Sequence, residues 1–246
     1  MLVSVVIPAH NERGAIATTV TELEHALTDA AIEHELVVVN DHSSDDTWAV
    51  LQELARQVPT LRPVDNDAAR GFGQAVVAGI EASRGDAVAI FMADGSDVAA
   101  DLVRFVRTME EQGVDCVFGS RFIRGGKVEG YPLPKLILNR CANAFIRTLF
   151  GLRYNDITNA FKLYRRHVLD GLRPFLSPHF NLTVELPLKA IIRGYSYAVV
   201  PNSWIGRDQG VSKFRVREMG SRYAFIVLYC LLEKLLSRGD YRKERR

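Results

Sequence analysis

Continuous apolar runs alternate along the first half of the chain with stretches whose apolar residues recur every three or four positions. LVSVVIP (2–8) is unbroken, as in a strand buried on both faces, and Ile16, Val20, Leu23 and Leu27 follow at helical spacing. ELVVVN (35–40) predicts a second strand, and Trp48, Leu51, Leu54 and Val58 a second helix. A polar turn with Gly71 and Gly73 opens a helix carrying Val76 and Ile80. DAVAIFM (86–92) reads as a strand, Leu102, Phe105, Val106 and Met109 as a helix, and DCVFGS (115–120) as a strand closing the series. The alternation predicts an α/β protein with a doubly wound, mainly parallel sheet. Ligands bind such sheets beyond the carboxyl ends of the strands.

After residue 120 the alternation loosens. A basic Gly/Pro-rich connection (121–134) leads to a helix around Leu136–Leu149, and NDITNAFKLYRR (155–166) reads as a turn and then a strand. Thr183–Ile192 suits a helix, YSYAVVP (195–201) a strand, GRDQGVSKFR (206–215) a basic loop, and Glu218–Leu236 a strongly apolar helix. Its longest apolar run, YAFIVLYCLL (223–232), is about half the ~20 residues that a membrane-spanning helix needs. We divide the chain into a body, 1–217, and a C-terminal helix with basic tail, 218–246. The body has a first half, 1–120, and a second half, 121–217.

With 246 residues the chain is long enough to bury a sizeable core, and its net charge of +2 gives no reason to expect a nucleic-acid partner. The distribution of charge is more telling. Between Arg121 and Arg153 stand seven Lys/Arg and one acid, Glu129, which marks a local cationic site. Cys116, Cys141 and Cys230 fit neither a zinc pattern nor a disulfide framework, and the N-terminus shows no secretory signal; the expected setting is cytoplasmic.

Every candidate motif stands at a predicted strand end. PAHNE (8–12) offers a rigid turn and polar groups suited to a nucleotide, and equally a helix-capping turn. Asp41, opening DHSSDD (41–46), suits the N–H groups of uracil or guanine; Ser44, Asp45 and Asp46 equally suit a helix cap. The missing G-x-G-x-x-G after the first strand argues against a dinucleotide site. ADGSD (93–97) brings Asp94 and Asp97 together at a strand end near the basic region. Paired carboxylates there suit Mg²⁺ or Mn²⁺, which complete their shells with diphosphate oxygens and water; an acidic helix N-terminus is compatible with the same residues.

The ordered set VVIPAHNE, VVVNDHSSDDT, GFGQAVVAG, ADGSD, GSRF and RDQGVSKF resembles family 2 glycosyltransferases, and within them the dolichol-phosphate mannose and polyprenyl-phosphate glycosyl synthases. The resemblance covers essentially the whole chain. It implies a GT-A fold, a nucleoside-diphosphate sugar donor of the GDP-mannose or UDP-glucose type, and Mg²⁺ or Mn²⁺. By that analogy Pro8, Ala9, His10 and Glu12 line the nucleotide pocket, Asp41 meets the base, and Gly71 and Gly73 border it. Asp94 leads the acidic motif, with Ser96 and Asp97 as further metal candidates. Arg121, Lys135 and Asn139 fall where the acceptor phosphate is held, and Asp156 and Lys162 flank the acceptor side. Arg207 and Lys213 belong to the loop that closes over the donor diphosphate. The chain departs from the pattern in carrying Ser96 where the family's Asp-x-Asp has its second carboxylate, and His10 where tyrosine is usual. It also lacks the Gln-x-x-Arg-Trp motif of processive synthases.

The implied reaction moves one hexose, with inversion, to a polyprenyl (dolichyl or undecaprenyl) phosphate. Two alternatives are a family 2 enzyme acting on a hydroxyl, with Asp156 or Glu185 as base, and a non-catalytic nucleotide-sugar-binding relative. A lipid acceptor implies a peripheral enzyme on the cytoplasmic face of the membrane. The C-terminal helix, with Phe225, Ile226, Leu228, Tyr229, Leu232 and Leu236, and its basic tail suit that surface, and the helix equally suits the protein core or a homodimer interface.

Overall fold

In a computed structural model, residues 1–206 and 216–243 are described. The elements run β1 (Val3–Ala9), α1 (Ile16–Asp29), β2 (His34–Asn40), α2 (Thr47–Gln57), β3 (Leu61–Asp65), α3 (Phe72–Ala82), β4 (Ala87–Ile90), α4 (Ala99–Gln112) and β5 (Cys116–Ser120). They continue with β6 (Lys127–Glu129), α5 (Leu133–Phe150), β7 (Lys162–Arg165), α6 (Arg166–Gly171), α7 (Leu182–Ile192), β8 (Tyr197–Pro201), β9 (Ser203–Ile205) and α8 (Val216–Leu236). Among the described residues the main sheet has the order β3-β2-β1-β4-β7-β5-β8, and β6 pairs with β9 in a small second sheet.

The mainly parallel, doubly wound sheet is as expected, and the reason is visible in its burial. All seven residues of β1 are buried, because helices cover both faces. On one face α1 and α4 bring Ile16, Val20, Leu23, Leu102 and Phe105 onto the strands. On the other, α3, α7 and α8 bring Val76, Ile80, Leu186 and Ile226.

Two differences from the sequence reading bear on the site. β3 is a strand that the periodicity does not announce: it is short, its middle is half-buried, and Pro63 sits in it. Pro is tolerated there because β3 is the sheet's edge. The second feature positions the site. β7 is antiparallel to both β4 and β5 and lies between them. An antiparallel strand begins where its parallel neighbours end. The turn before β7, residues 154–161, therefore lands at the carboxyl edge of the sheet, between the loops that follow β4 and β5.

Candidate active site

The loops after β1 and β2 are fastened to each other. His10 Nδ1 donates to the Asp41 carbonyl at 2.7 Å, which fixes the Nδ1–H tautomer. Asn11, at φ +56°, donates from its backbone to Ser43 Oγ at 3.0 Å and accepts from the Ser44 N–H at 2.7 Å. The Glu12 N–H donates to Thr47 Oγ1 at 2.9 Å. Pro8 and Ala9 are buried at the end of β1, and the Ala9 carbonyl accepts the Asp41 N–H at 2.8 Å. These contacts make one preformed rim from PAHNE and DHSSDD.

Asp41 is buried and its carboxylate is held from two sides. Asn66 Nδ2 donates to it at 2.8 Å, and the Gly71 N–H at 3.1 and 3.2 Å. Asn66 follows β3, so the sequence reading that missed the strand missed this partner too. The structure gives Gly71 and Gly73 a packing reason. A Cβ on Gly71 would collide with the Pro178 carbonyl and stand 2.9 Å from His179 Nδ1, and one on Gly73 would collide with the Ser177 carbonyl. The start of α3 thus lies against residues 177–179, and Phe72 stacks on Phe180 with centroids 4.1 Å apart.

The acidic loop gathers carboxylates at one place. Asp97 is 5% exposed and accepts the Met92 N–H at 3.1 Å. Burial, and then the neighbouring Asp94 charge, push its carboxyl up to about 7, against the pull of the Met92 N–H and Arg121. Asp94 Oδ1 accepts the Ser96 N–H at 3.0 Å. Ser96 Oγ is buried with no hydrogen-bond partner among the described residues. Two carboxylates under mutual repulsion beside an orphaned hydroxyl form a set of hard oxygen donors that fits a divalent cation. Among the described residues no cluster of three or more His, Cys, Asp or Glu encloses a metal site, so protein ligands would supply only part of the shell. β9 runs over this loop: the Ile205 N–H donates to the Ser96 carbonyl at 2.9 Å, and Asp97 bridges Trp204. Arg207 and Lys213 lie outside the described residues.

Across the β7 insertion the charge is matched. Arg121, 7% exposed, donates to Asp156 through Nε at 2.8 Å, Nη2 at 2.7 Å and its backbone N–H at 3.0 Å. Asp156 raises the guanidinium pKa against its burial, so the group stays cationic. Nη1 has no hydrogen-bond partner among the described residues and is the donor left for a ligand. Tyr131 and Phe122 lie beside the guanidinium, at 6.0 and 5.3 Å from its carbon. Lys162 is buried in the gap between β4 and β5, where Nζ donates to the Ile157 carbonyl at 3.0 Å and the Thr183 carbonyl at 3.3 Å. Burial lowers its pKa to about 7, opposed by Asp156 and reinforced by Arg121. It underpins the site rather than lining it. Asn139 and Asn143 reach from α5 to Thr158 Oγ1, at 2.8 and 2.9 Å. Lys135, one turn earlier, is half-buried and makes no hydrogen bond or ion pair among the described residues.

Neither residue considered as a general base is free for that work. Asp156 is committed to Arg121. Glu185 is fully buried, paired with Lys189 at 2.5 Å and accepting the Leu176 N–H at 2.9 Å.

Residues 4–173 match the family model described as glycosyl transferase family 2. A polyprenol monophosphomannose synthase of Mycolicibacterium smegmatis is 34% identical over 234 residues, covering 89% of this chain and 86% of the relative. A dolichol-phosphate mannosyltransferase of Pyrococcus furiosus is 30% identical over 219 residues, covering 87% of this chain but 60% of the relative. The chain thus spans less than two thirds of that second relative. In fold it is similar to glucosyl-3-phosphoglycerate synthase of Mycobacterium tuberculosis, solved with Mn²⁺, UDP and glucosyl-3-phosphoglycerate. The TM-score is 0.68 at 21% identity, covering 95% of this chain and 79% of that one.

Proposed function

The chain belongs to glycosyl transferase family 2, and from that premise we propose that it transfers a hexose, with inversion, from a nucleoside-diphosphate sugar to a polyprenyl phosphate. The observation that carries this reading is the meeting, across β7, of a loop in which the Asp94 charge and burial push up the Asp97 carboxyl with a buried, oriented guanidinium. The names of both relatives favour mannose as the hexose.

In this reading the nucleotide lies against the rim formed by Pro8, Ala9, His10, Glu12 and Asp41. Asp94, with Ser96 and Asp97, would hold Mg²⁺ or Mn²⁺, as the fold relative solved with Mn²⁺ and UDP suggests. When bound, the ion supplies positive charge for the departing diphosphate. Arg207 and Lys213 would add to it. On the opposite side Arg121, through its unpaired Nη1, Lys135 and Asn139 would hold the acceptor phosphate. Asp156 keeps Arg121 in one orientation, so little reorganisation accompanies the reaction. A phosphomonoester has a second pKa of about 6 and is largely dianionic at pH 7, so it attacks without a general base. That agrees with the commitment of Asp156 and Glu185 elsewhere, and disfavours a hydroxyl acceptor.

We place the enzyme at the cytoplasmic face of a membrane as a peripheral protein, since its acceptor is lipid-borne. No helix among the described residues is long and apolar enough to cross a bilayer. Lys243 of the tail is folded back onto Asp115 at 2.9 Å, so that cation is not spare for lipid. The exposed Phe225, Leu228, Leu232 and Leu235 of α8 repeat at three- and four-residue steps, which suits a seam with a second copy.

The test is Mn²⁺-dependent transfer from GDP-mannose and UDP-glucose to a short-chain polyprenyl phosphate, with a polyprenol as control acceptor. Asp94→Ala is expected to lower turnover by roughly 10³-fold or more while the melting temperature stays near the parent's. Near-normal turnover would remove Asp94 from the metal role, and transfer to the alcohol would overturn the phosphate acceptor.

A further inference from the structure

Two aromatic rings link the carboxylate loop to Arg121. Tyr131 lies 6.0 Å from the guanidinium carbon, and Trp204 meets Tyr131 with ring centroids 4.7 Å apart and planes tilted by 60°. Trp204 in turn forms an antiparallel bridge with Asp97. Both rings are half-buried, and neither is among the residues packed on the two hydrophobic cores. Rings of this size that serve packing alone belong in a core, where they dominate the energetics. Phe122, the other ring beside Arg121, is faced by the Arg140 guanidinium, 4.2 Å from its centroid.

Backbone contacts hold this pair from three sides. The Ser203 N–H donates at 2.6 Å to Asp101, a buried carboxylate in the first turn of α4. The Ile205 N–H donates to the Ser96 carbonyl at 2.9 Å, so both neighbours of Trp204 are tied down. β6 completes the frame by pairing in parallel with β9, with Val128 opposite Trp204. Beyond β6 the chain turns at Gly130, φ +68°, a conformation that suits glycine, and Tyr131 follows. The Gly206 N–H donates to the Glu129 carbonyl at 2.8 Å, and a Cβ on Gly206 would stand 3.0 Å from the Gly130 carbonyl. The two segments that carry the rings therefore touch, and the pair has a fixed place relative to both charged groups.

We propose that Trp204 and Tyr131 form the platform on which the transferring hexose lies, a reading that rests on the proposed function. In that function the sugar is the part that must lie between the departing diphosphate and the attacking phosphate. The two rings span the same interval, from the Asp97 loop to Arg121. A hexose carries C–H groups on its faces and hydroxyls on its rim. Those C–H groups meet the negative face of an aromatic ring much as the edge of a second ring does. Glycosyl transfer also places positive charge on the sugar in an oxocarbenium-like transition state, and aromatic faces attract such charge most strongly where water is excluded. An isoprenoid chain is the competing apolar ligand, but it is separated from the diphosphate by its own phosphate and by the sugar.

The test compares, by calorimetry with Mn²⁺ present, binding of GDP-mannose with GDP and of UDP-glucose with UDP. Trp204→Leu keeps apolar bulk and removes the aromatic face. It should raise the Kd of the sugar nucleotide relative to that of the bare nucleotide by about threefold to tenfold. Turnover should fall by roughly 10²-fold, with the melting temperature near the parent's. Trp204→Phe should restore most of both, and Tyr131→Leu should move the same ratio in the same direction by less. An unchanged ratio and turnover in Trp204→Leu would overturn the platform. So would a variant whose one defect is a raised KM for polyprenyl phosphate, since the lipid would then be the occupant. A parent chain that binds none of the four nucleotides would instead overturn the transferase reading on which the platform rests.

Discussion

After β4 the carboxylates Asp94 and Asp97 stand together, with no cation bonded to Asp97 among the described residues, and the charge of one raises the pKa of the other. After β5 a single carboxylate, Asp156, meets Arg121 with three hydrogen bonds and leaves one guanidinium nitrogen over. Both groups are at the carboxyl edge of the same sheet, with Asp97, Arg121 and Asp156 buried and Asp94 half-buried, yet in the first like charges meet and in the second opposite ones. A balanced pair fixes geometry and contributes to the fold. Two carboxylates that repel each other cost the fold something and suit a ligand's positive charge. The comparison teaches that position at the edge marks a candidate site, while repulsion or attraction between its buried charges separates its ligand-facing parts from its scaffold.

The most severe way to break the comparison is to unbalance the balanced side. Asp156→Ala would leave the buried Arg121 uncompensated, which should cost about 3–5 kcal/mol and lower the melting temperature by roughly 10 °C, measured by calorimetry. A loss below about 1 kcal/mol would show that the pair is not part of the scaffold.

The side where the carboxylates meet should respond in the opposite sense. The Asp97 carboxyl titrates near 7 in the folded chain and near 3.8 as a free side chain, so its contribution is complete below pH 4 and is lost as pH rises through 7. Asp97→Asn should therefore be more stable than the parent at pH 8, by a margin on the order of 2–4 kcal/mol, and no more stable at pH 4. Denaturant melts at the two pH values would check this. Saturating Mn²⁺ should narrow the gap at pH 8 by stabilising the parent.

A third substitution sets the floor of the comparison. Arg13 and Asp46 pair at 2.8 Å between the loops after β1 and β2, but both side chains are mostly exposed. Arg13→Ala should change stability by less than about 1 kcal/mol. A larger loss in the same denaturant melts would mean that the rim depends on this pair rather than on its buried backbone contacts.

How much of this was legible beforehand varies with the physics of each element. β1, β2, β4 and β5 are announced by unbroken apolar runs, since burial on both faces demands apolar residues throughout. β3 is silent, because an edge strand of five residues, with Pro63 in it and a half-buried middle, carries no such demand. Asn66, just beyond β3, was lost with it, although it is the side chain that holds Asp41. Gly71 and Gly73 stood out in the sequence for their spacing, but residues 177–179, which make a Cβ impossible there, are a hundred positions away. Glu185 read as a spare base because nothing local reveals the lysine one turn on as its buried partner.

By itself the sequence determined the alternation of strands and helices, the strand-end address of each motif, and the membership in its family. These depend on local periodicity and on the order of short motifs, which a linear chain carries in full. Only the tertiary structure decided which charges are spent on one another. Asp156 meets Arg121, and Lys162 lies in the core, because β7 enters the sheet antiparallel between β4 and β5. That insertion joins residues about 35 apart through topology rather than periodicity, and the energy of a buried charge depends on the partner it finds.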